Sequence, residues 1–270
     1  SLLIENKILA PKLYSENYKK NFIEIEDFGD DTVFKLLKNR SNKINLYKKS
    51  IDLLSKIQKI KKNKIKNFKG KSYKIPIYKN NKLFKEAKLF SDWYAKIYIP
   101  KQKLPKFNIE INKQIKFLLS NLKLKNKTLV HRDFHVSNLM RYKKQLATID
   151  TQDALIGNRA YDLASLIDDV RFRSNIKLKN KIYNYYLKMN KNKINKDILL
   201  NDFEILSVIR NMKIIGIFSR LAARDKKIKY LKLIPYAWKL IELRIKNNKI
   251  FIDLKKILDL NFSMKTRSLK

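Results

Sequence analysis

The sequence contains no cysteine. That excludes a disulfide framework and any thiolate metal site. Glycine is nearly as scarce, with 4 residues in 270. Gly29, Gly70, Gly157 and Gly216 are all far apart, so no glycine-rich phosphate loop exists here. No apolar run approaches the roughly 18 residues needed to cross a bilayer. Stretches such as Ile214–Phe218 are short and have Lys or Arg nearby. Histidine occurs twice, at His131 and His135. In a chain of such drifting composition, two histidines held within five residues point to a site.

What is abundant is positive charge. The chain carries 63 basic and 24 acidic residues, a formal net charge of +39. Such a balance suggests nucleic acid or an anionic surface. The detail argues otherwise. Only eleven of the basic residues are arginine, and the lysines run from end to end among Asn and Ile. A dedicated nucleic-acid surface favours Arg for bidentate contacts and gathers its charge on one face. The lysine excess reads as compositional drift, with no specific nucleic-acid partner and no membrane partner expected.

Along the chain, Ser1–Leu9 reads as the last turns of a helix. Because it opens without a cap or an initiating Met, the sequence is expected to begin inside a longer protein. Ala10–Tyr14 is extended, and Phe22–Glu26 alternates apolar and acidic residues like a strand. Residues 27–31 form a turn, and Asp31 or Thr32 can cap the following helix. Helical periodicity holds from Val33 to Lys61, broken near Asn39–Ser41. Residues 62–81 read as a basic loop. Helices are expected at 83–99 and 109–122, the first ended by Pro100 and Pro105. Lys127–Val130 is a short strand. Leu139–Tyr142 and Gln145–Ile149 form a β-hairpin turning at Lys143-Lys144. Everything after Asp150 reads as helix, at about 158–172, 178–190, 197–223, 228–247 and 251–259.

The chemistry concentrates in Val130-His131-Arg132-Asp133-Phe134-His135-Val136-Ser137-Asn138, followed by the hairpin and Ile149-Asp150. The pattern H-x-D-x-x-x-x-N, hairpin, Ile-Asp is similar to the catalytic loop and metal-binding Asp of kinases. Asp133 can take the proton of a hydroxyl nucleophile. Asn138 and Asp150 are hard oxygen ligands suited to Mg²⁺. The hairpin returns Asp150 to the loop. As a bare spacing, His131 and Asp133 could equally be a pair that only orders a turn. His135 reads as a hydrogen-bonded loop histidine, since Mg²⁺ does not favour imidazole.

Longer runs carry a family resemblance. Leu129–His135 with Asn138-Leu139-Met140 resembles the aminoglycoside phosphotransferase and choline kinase superfamily. Ile149–Gly157 followed by Ala160-Tyr161-Asp162-Leu163-Ala164-Ser165-Leu166 is similar to the bacterial anomeric kinases of N-acetylmuramate and N-acetylglucosamine, which serve cell-wall recycling. Glu26–Asp30, Glu86 with Asp92-Trp93-Tyr94, and Ile214–Asp225 agree. The resemblance implies an α/β (α+β) protein-kinase-like two-lobe fold. It implies ATP and Mg²⁺ as cofactors and a cytoplasmic location. The acceptor implied is a small-molecule hydroxyl on an amino sugar, with choline, an aminoglycoside or another small alcohol as the alternative. Asp133 would be the base, Asn138 and Asp150 the metal ligands, and Glu26, Asp27 and Phe28 the hinge that meets adenine. Asp162 and His131 would support the catalytic loop. Glu86 and Asp153 are candidates for sugar hydroxyls, while Trp93 and Tyr94 read as core.

The sequence departs from the family at Asn158, where Pro is usual, and at Thr151, where Phe is common. The strands, loop and Lys that cover the phosphates in the family have no counterpart before Leu2–Pro11. The expected organisation is therefore a truncated nucleotide-binding remnant at 1–30 and a mainly helical catalytic lobe at 31–270. No lysine is expected in a strand–loop–strand setting. Residues 1–270 alone are expected to bind ATP weakly and to transfer phosphate negligibly, and a catalytically incompetent fragment is the corresponding rival reading.

Overall fold

The computed structural model describes residues 2–17, 19–39, 42–66, 70–190, 194–246 and 248–268. In chain order the elements are α1 (Leu2–Glu5), β1 (Leu13–Asn17), β2 (Phe22–Ile25), α2 (Val33–Asn39), α3 (Lys43–Gln58), β3 (Lys64–Lys66) and β4 (Ser72–Lys74). Next come α4 (Asn80–Ala87), a π-helical stretch at Phe90–Ala95, α5 (Lys96–Tyr98) and α6 (Leu104–Ser120). Then follow β5 (Thr128–Val130), β6 (Leu139–Tyr142), β7 (Gln145–Thr148), β8 (Leu155–Gly157), α7 (Ala160–Ile167), α8 (Ile176–Met189) and α9 (Lys196–Ala223). The chain ends with α10 (Ile234–Ile245), α11 (Ile252–Asn261) and α12 (Met264–Ser268). Two compact units emerge, Ser1–Ile77 with Lys125–Ile194, and Tyr78–Leu124 with Asn195–Lys270.

In the first unit, α1 ends earlier than expected. Lys7 sits at φ 56°, its N–H donates to Ile4 O at 2.9 Å, and Ile8 N donates to Leu3 O at 2.9 Å. This pair of bonds around a left-handed residue is a Schellman stop. The expected strand at 22–26 forms as β2 and pairs antiparallel with β1. Its alternation does not bury one face, because Leu13, Tyr14, Phe22, Ile23 and Ile25 are all exposed. Thr32 caps α2 by accepting from Lys35 N at 3.1 Å. The expected break at Asn39–Ser41 falls on Arg40 and Ser41, outside the described residues, and Asn42 caps α3.

The basic stretch at 62–81 is not simply a loop. Lys64–Lys66 and Ser72–Lys74 pair antiparallel, so lysines 64, 66 and 74 do stand on a hairpin. The everything-helical reading after Asp150 also fails, because Leu155–Gly157 pairs with β5. Three-residue strands paired across about 27 positions leave no local periodic signal. The β6–β7 hairpin forms as expected, with Lys143 at φ 46° and Lys144 at φ 65° in the primed turn that suits twisted strands. Every residue of α7 is buried.

The second unit is built around α9. Residues Ile205 to Met212 of this helix are all buried, as for a helix enclosed on every side. Pro105 opens α6 rather than ending the preceding helix, since a proline in the first turn removes no helical hydrogen bond. Tyr94 joins Phe90, Trp238 and Phe262 in an aromatic cluster with ring centroids 5.3–5.8 Å apart. Trp238 Nε1 donates to Tyr94 Oη at 2.9 Å, and Tyr94 donates to Thr266 O at 3.1 Å. Tyr94 is therefore core, and Trp93 beside it is half-buried.

The helix expected at 83–99 is widened into the π form where α9 crosses it. A Cβ on Gly216 would lie 2.2 Å from the Leu89 carbonyl carbon and 2.5 Å from Phe90 N. Only a residue without a side chain permits this backbone approach. Gly216→Ala is expected to destabilise the protein by at least about 1–3 kcal/mol, as overpacking against backbone does. Chemical denaturation measures it, and a parent-like midpoint would contradict the packing described.

Candidate active site

The site is assembled entirely within the first unit. Strand β5 delivers Leu129 and Val130 into the core, and the chain turns sharply at Arg132, at φ 75°. The turn is held by a buried carboxylate. Asp162 on α7 is fully buried and accepts from His131 N at 2.7 Å through one oxygen and from Arg132 N at 3.0 Å through the other. One side chain thus satisfies two consecutive buried backbone donors. Just before α7, Asn158 Oδ1 accepts from Ala160 N at 3.0 Å.

Beyond the turn, His135 N donates to Asp133 O at 3.0 Å, and Asn138 N donates to His135 O at 2.9 Å. The loop closes on the hairpin through Ile149 N to Asn138 O at 3.0 Å. Asn138 Nδ2 then reaches Asp133 O at 3.1 Å and Asp150 Oδ2 at 3.3 Å. Asp133, Asn138 and Asp150 thus meet around one amide. Asp133 is half-buried and Asp150 is exposed, the latter in left-handed backbone at φ 63°. A non-glycine residue held there signals an imposed local geometry. Gln152 Nε2 donates to Asp150 Oδ1.

His131 is buried, with Nε2 2.7 Å from Thr148 Oγ1 and 3.0 Å from Ile149 O. It ties the loop to the end of β7, just before Asp150. Burial pushes its pKa below the ordinary histidine value, against the opposing pull of Asp133 and Asp150. His135 is likewise buried within the loop.

Glu26, Asp27 and Phe28, expected to form the hinge, lie against the same hairpin. Phe28 is buried against Met140 and Ala147, with its ring 4.4 Å from that of Tyr142. Tyr142 Oη donates to Glu26 Oε1 at 3.1 Å, and Asp27 Oδ1 accepts from Gly29 N at 2.8 Å. Arg141 N donates to Asp31 O at 2.8 Å. The segment expected to meet adenine is thereby anchored to the hairpin that lies between Asn138 and Asp150.

The two sugar-hydroxyl candidates are already engaged. Asp153 Oδ2 lies 3.6 Å from Arg132 Nη1, which also donates to Asp153 O at 3.3 Å. In the second unit Glu86 pairs with Lys213 at 2.8 Å and accepts from Tyr78 Oη at 2.5 Å. Both members of that ion pair are largely buried, a setting that fixes the carboxylate.

One supporting residue escaped the sequence reading. Asp169, 1% exposed, accepts from Val136 N at 3.2 Å through one oxygen and from Arg171 N at 3.0 Å through the other. It is a second buried brace on the loop that carries Asp133 and Asn138. The only signal was the Asp168-Asp169 doublet at the end of an apolar helix, and that spacing matches no motif.

Among the described residues no three His, Asp or Glu side chains gather as a self-sufficient metal cage. The donor set instead fits Mg²⁺, which is held by one or two protein oxygens together with substrate phosphates. Asp150 offers a carboxylate. Asn138 uses its amide nitrogen on Asp133 and Asp150, which leaves its oxygen as a donor.

Comparison with known proteins agrees with this architecture. The phosphotransferase enzyme family, APH, matches residues 39–190. An N-acetylmuramate/N-acetylglucosamine kinase of Caulobacter vibrioides is 24% identical over 238 residues, covering 85% of this chain and 64% of the relative. The protein of the same name from Pseudomonas aeruginosa is 26% identical, covering 95% of this chain and 75% of the relative. The chain thus spans under two thirds of the Caulobacter protein. Two solved structures share the fold. The gentamicin complex of APH(2")-IIa aligns with a TM-score of 0.60 at 16% identity, over 88% of this chain and 79% of the other. A Plasmodium vivax ethanolamine kinase aligns with a TM-score of 0.58 at 16% identity, over 90% and 70%. With the matched region covering more than half its length and the fold in agreement, the chain belongs to the phosphotransferase enzyme family.

Proposed function

We propose that the protein is a kinase that transfers the γ-phosphoryl group of ATP to a hydroxyl of an amino sugar of the N-acetylmuramate/N-acetylglucosamine type. The observation that carries this reading is the single amide of Asn138 bonded to both Asp133 and Asp150. It sets a candidate base and a candidate metal ligand on either side of one point. The names of the relatives support the substrate class.

In this reading Asp133 accepts the proton of the attacking hydroxyl. Asp150 and Asn138 hold Mg²⁺, which when bound neutralises charge on the phosphates. Glu26, Asp27 and Phe28 place the adenine through backbone groups. Asp162, Asp169 and His131 hold the loop still, which matters because this chemistry depends mostly on positioning and charge stabilisation. In this reading the use of ATP as donor accords with a cytoplasmic site of action.

An acceptor panel tests the substrate class. Rates of ADP release with N-acetylglucosamine, N-acetylmuramate, choline, ethanolamine and an aminoglycoside are compared in the full natural polypeptide. The amino sugars are expected to lead in kcat/KM. Preference for choline or ethanolamine would instead favour the small-alcohol acceptors of proteins that share the fold.

The metal assignment has its own test. Asp150→Ala is expected to raise the Mg²⁺ concentration needed for nucleotide binding by tenfold or more, in keeping with loss of a metal ligand. Asn138→Ala is expected to shift it in the same direction by less, since a neutral amide gives a hard cation less than a carboxylate does. Identical Mg²⁺ titrations of parent and both variants would remove these residues from the metal site.

A further inference from the structure

Asp150 is exposed, so its carboxylate is not fixed by burial. Two side-chain amides hold it instead. Asn138 Nδ2 donates to Oδ2 at 3.3 Å, which is long for an N–H···O bond, and Gln152 Nε2 donates to Oδ1. A carboxylate has about four lone-pair sites, two on each oxygen. One N–H on each oxygen therefore leaves each with a lone pair for a cation.

The neutrality of both donors matters. In a chain with 63 basic residues, no Lys or Arg among the described residues pairs with Asp150. A basic side chain there would occupy the same lone pairs and repel Mg²⁺. An amide orients the carboxylate without opposing the charge of the ion.

Gln152 is itself well placed for this task. Ala154 N donates to Thr151 O at 3.2 Å and closes a turn with Gln152 and Asp153 at its centre. Arg132 Nη1 donates to Asp153 O at 3.3 Å. The backbone N of Arg132 is held in turn by Asp162. The turn that carries Gln152 is thus tied to the buried brace that shapes the loop of Asp133 and Asn138.

We propose that Gln152 is a positioning residue for Asp150, fixing the plane of its carboxylate so that both oxygens keep a lone pair for Mg²⁺. The proposal rests on the metal role given to Asp150 under the proposed function.

Gln152→Met keeps the side-chain length and removes the donor. Nucleotide binding is titrated with Mg²⁺ in the full polypeptide for the parent, Gln152→Met, Asp150→Ala and the double variant. Gln152→Met is expected to raise the Mg²⁺ requirement about threefold to tenfold, the ratio that one net hydrogen bond supplies. Its denaturation midpoint is expected to stay at the parent's value, since the side chain is exposed. The double variant is expected to match Asp150→Ala, because Gln152 acts only through that carboxylate. A second measurement needs no metal, nucleotide or change at Gln152. The side-chain NH₂ resonances of Gln152, assigned through its own backbone, are expected to move in Asp150→Ala. A parent-like Mg²⁺ titration of Gln152→Met beside a shifted Asp150→Ala would overturn the proposal and leave the metal role of Asp150 standing. Additive shifts in the double variant would overturn it too, as would Gln152 resonances indifferent to Asp150→Ala. Parent-like titrations of both single variants would remove the metal role of Asp150 and the proposal with it.

Discussion

Asp133→Asn in the full polypeptide is expected to lower kcat by roughly 10²-fold or more while leaving nucleotide affinity and stability close to the parent's. The magnitude is that of a positioned general base, 10² to 10⁴. The side chain is half-buried and, unlike its backbone carbonyl, is not the acceptor for Asn138. The loop bonds from His135 N and Asn138 Nδ2 both end on the Asp133 main chain, so an amide in place of the carboxylate leaves them standing. What changes is the capacity to take a proton from the attacking hydroxyl. Steady-state kinetics, nucleotide titration and denaturation on the same preparations separate these effects. Near-normal turnover would remove Asp133 from the role of base. A large loss of stability would show that the carboxylate acts structurally.

Asp162→Ala is expected to act in the opposite manner, through the fold. The carboxylate is fully buried and satisfies His131 N and Arg132 N at once. Removing it strands two buried donors, at about 1–3 kcal/mol each, so a total loss of about 2–6 kcal/mol is expected. Arg132 sits in left-handed backbone, so the turn also loses the brace that holds it there. Asp162→Asn keeps one good acceptor and is expected to fall between parent and alanine variant. Urea denaturation gives the ranking. Activity of the alanine variant should fall together with loop order, read as faster amide exchange at His131 and Arg132. Parent-like stability in both variants would contradict the bracing role.

These two residues also show what the sequence could and could not disclose. Asp133, Asn138 and Asp150 were legible because a tight loop and a short hairpin are local structures. Their spacing is fixed by backbone geometry, and the structure joins them through Asn138 as that spacing implied. The hairpin was legible from two short, mostly apolar runs on either side of Lys143-Lys144, and the long helix α9 from its apolar content. Asp169 was not legible, because its partner Val136 lies 33 positions away and nothing local marks the contact. Strand β8 was hidden for the same reason, since three residues paired with a distant strand carry no period. The β3–β4 hairpin was hidden by its lysines, which made a solvent-facing ribbon look like a loop. The π-helical turn at Phe90–Ala95 lies against a glycine more than 120 positions away, and propensity within the turn gives no hint of it.

The central claim is phosphoryl transfer from ATP to an amino-sugar hydroxyl, and ³¹P NMR of the reaction tests it most directly. The full polypeptide is incubated with ATP, Mg²⁺ and N-acetylglucosamine or N-acetylmuramate, beside an Asp133→Asn control. The account predicts a new sugar-phosphate resonance that grows in step with ADP in the parent and is nearly absent in the control. ADP accumulating with inorganic phosphate alone, or a sugar phosphate formed equally fast by Asp133→Asn, would contradict it.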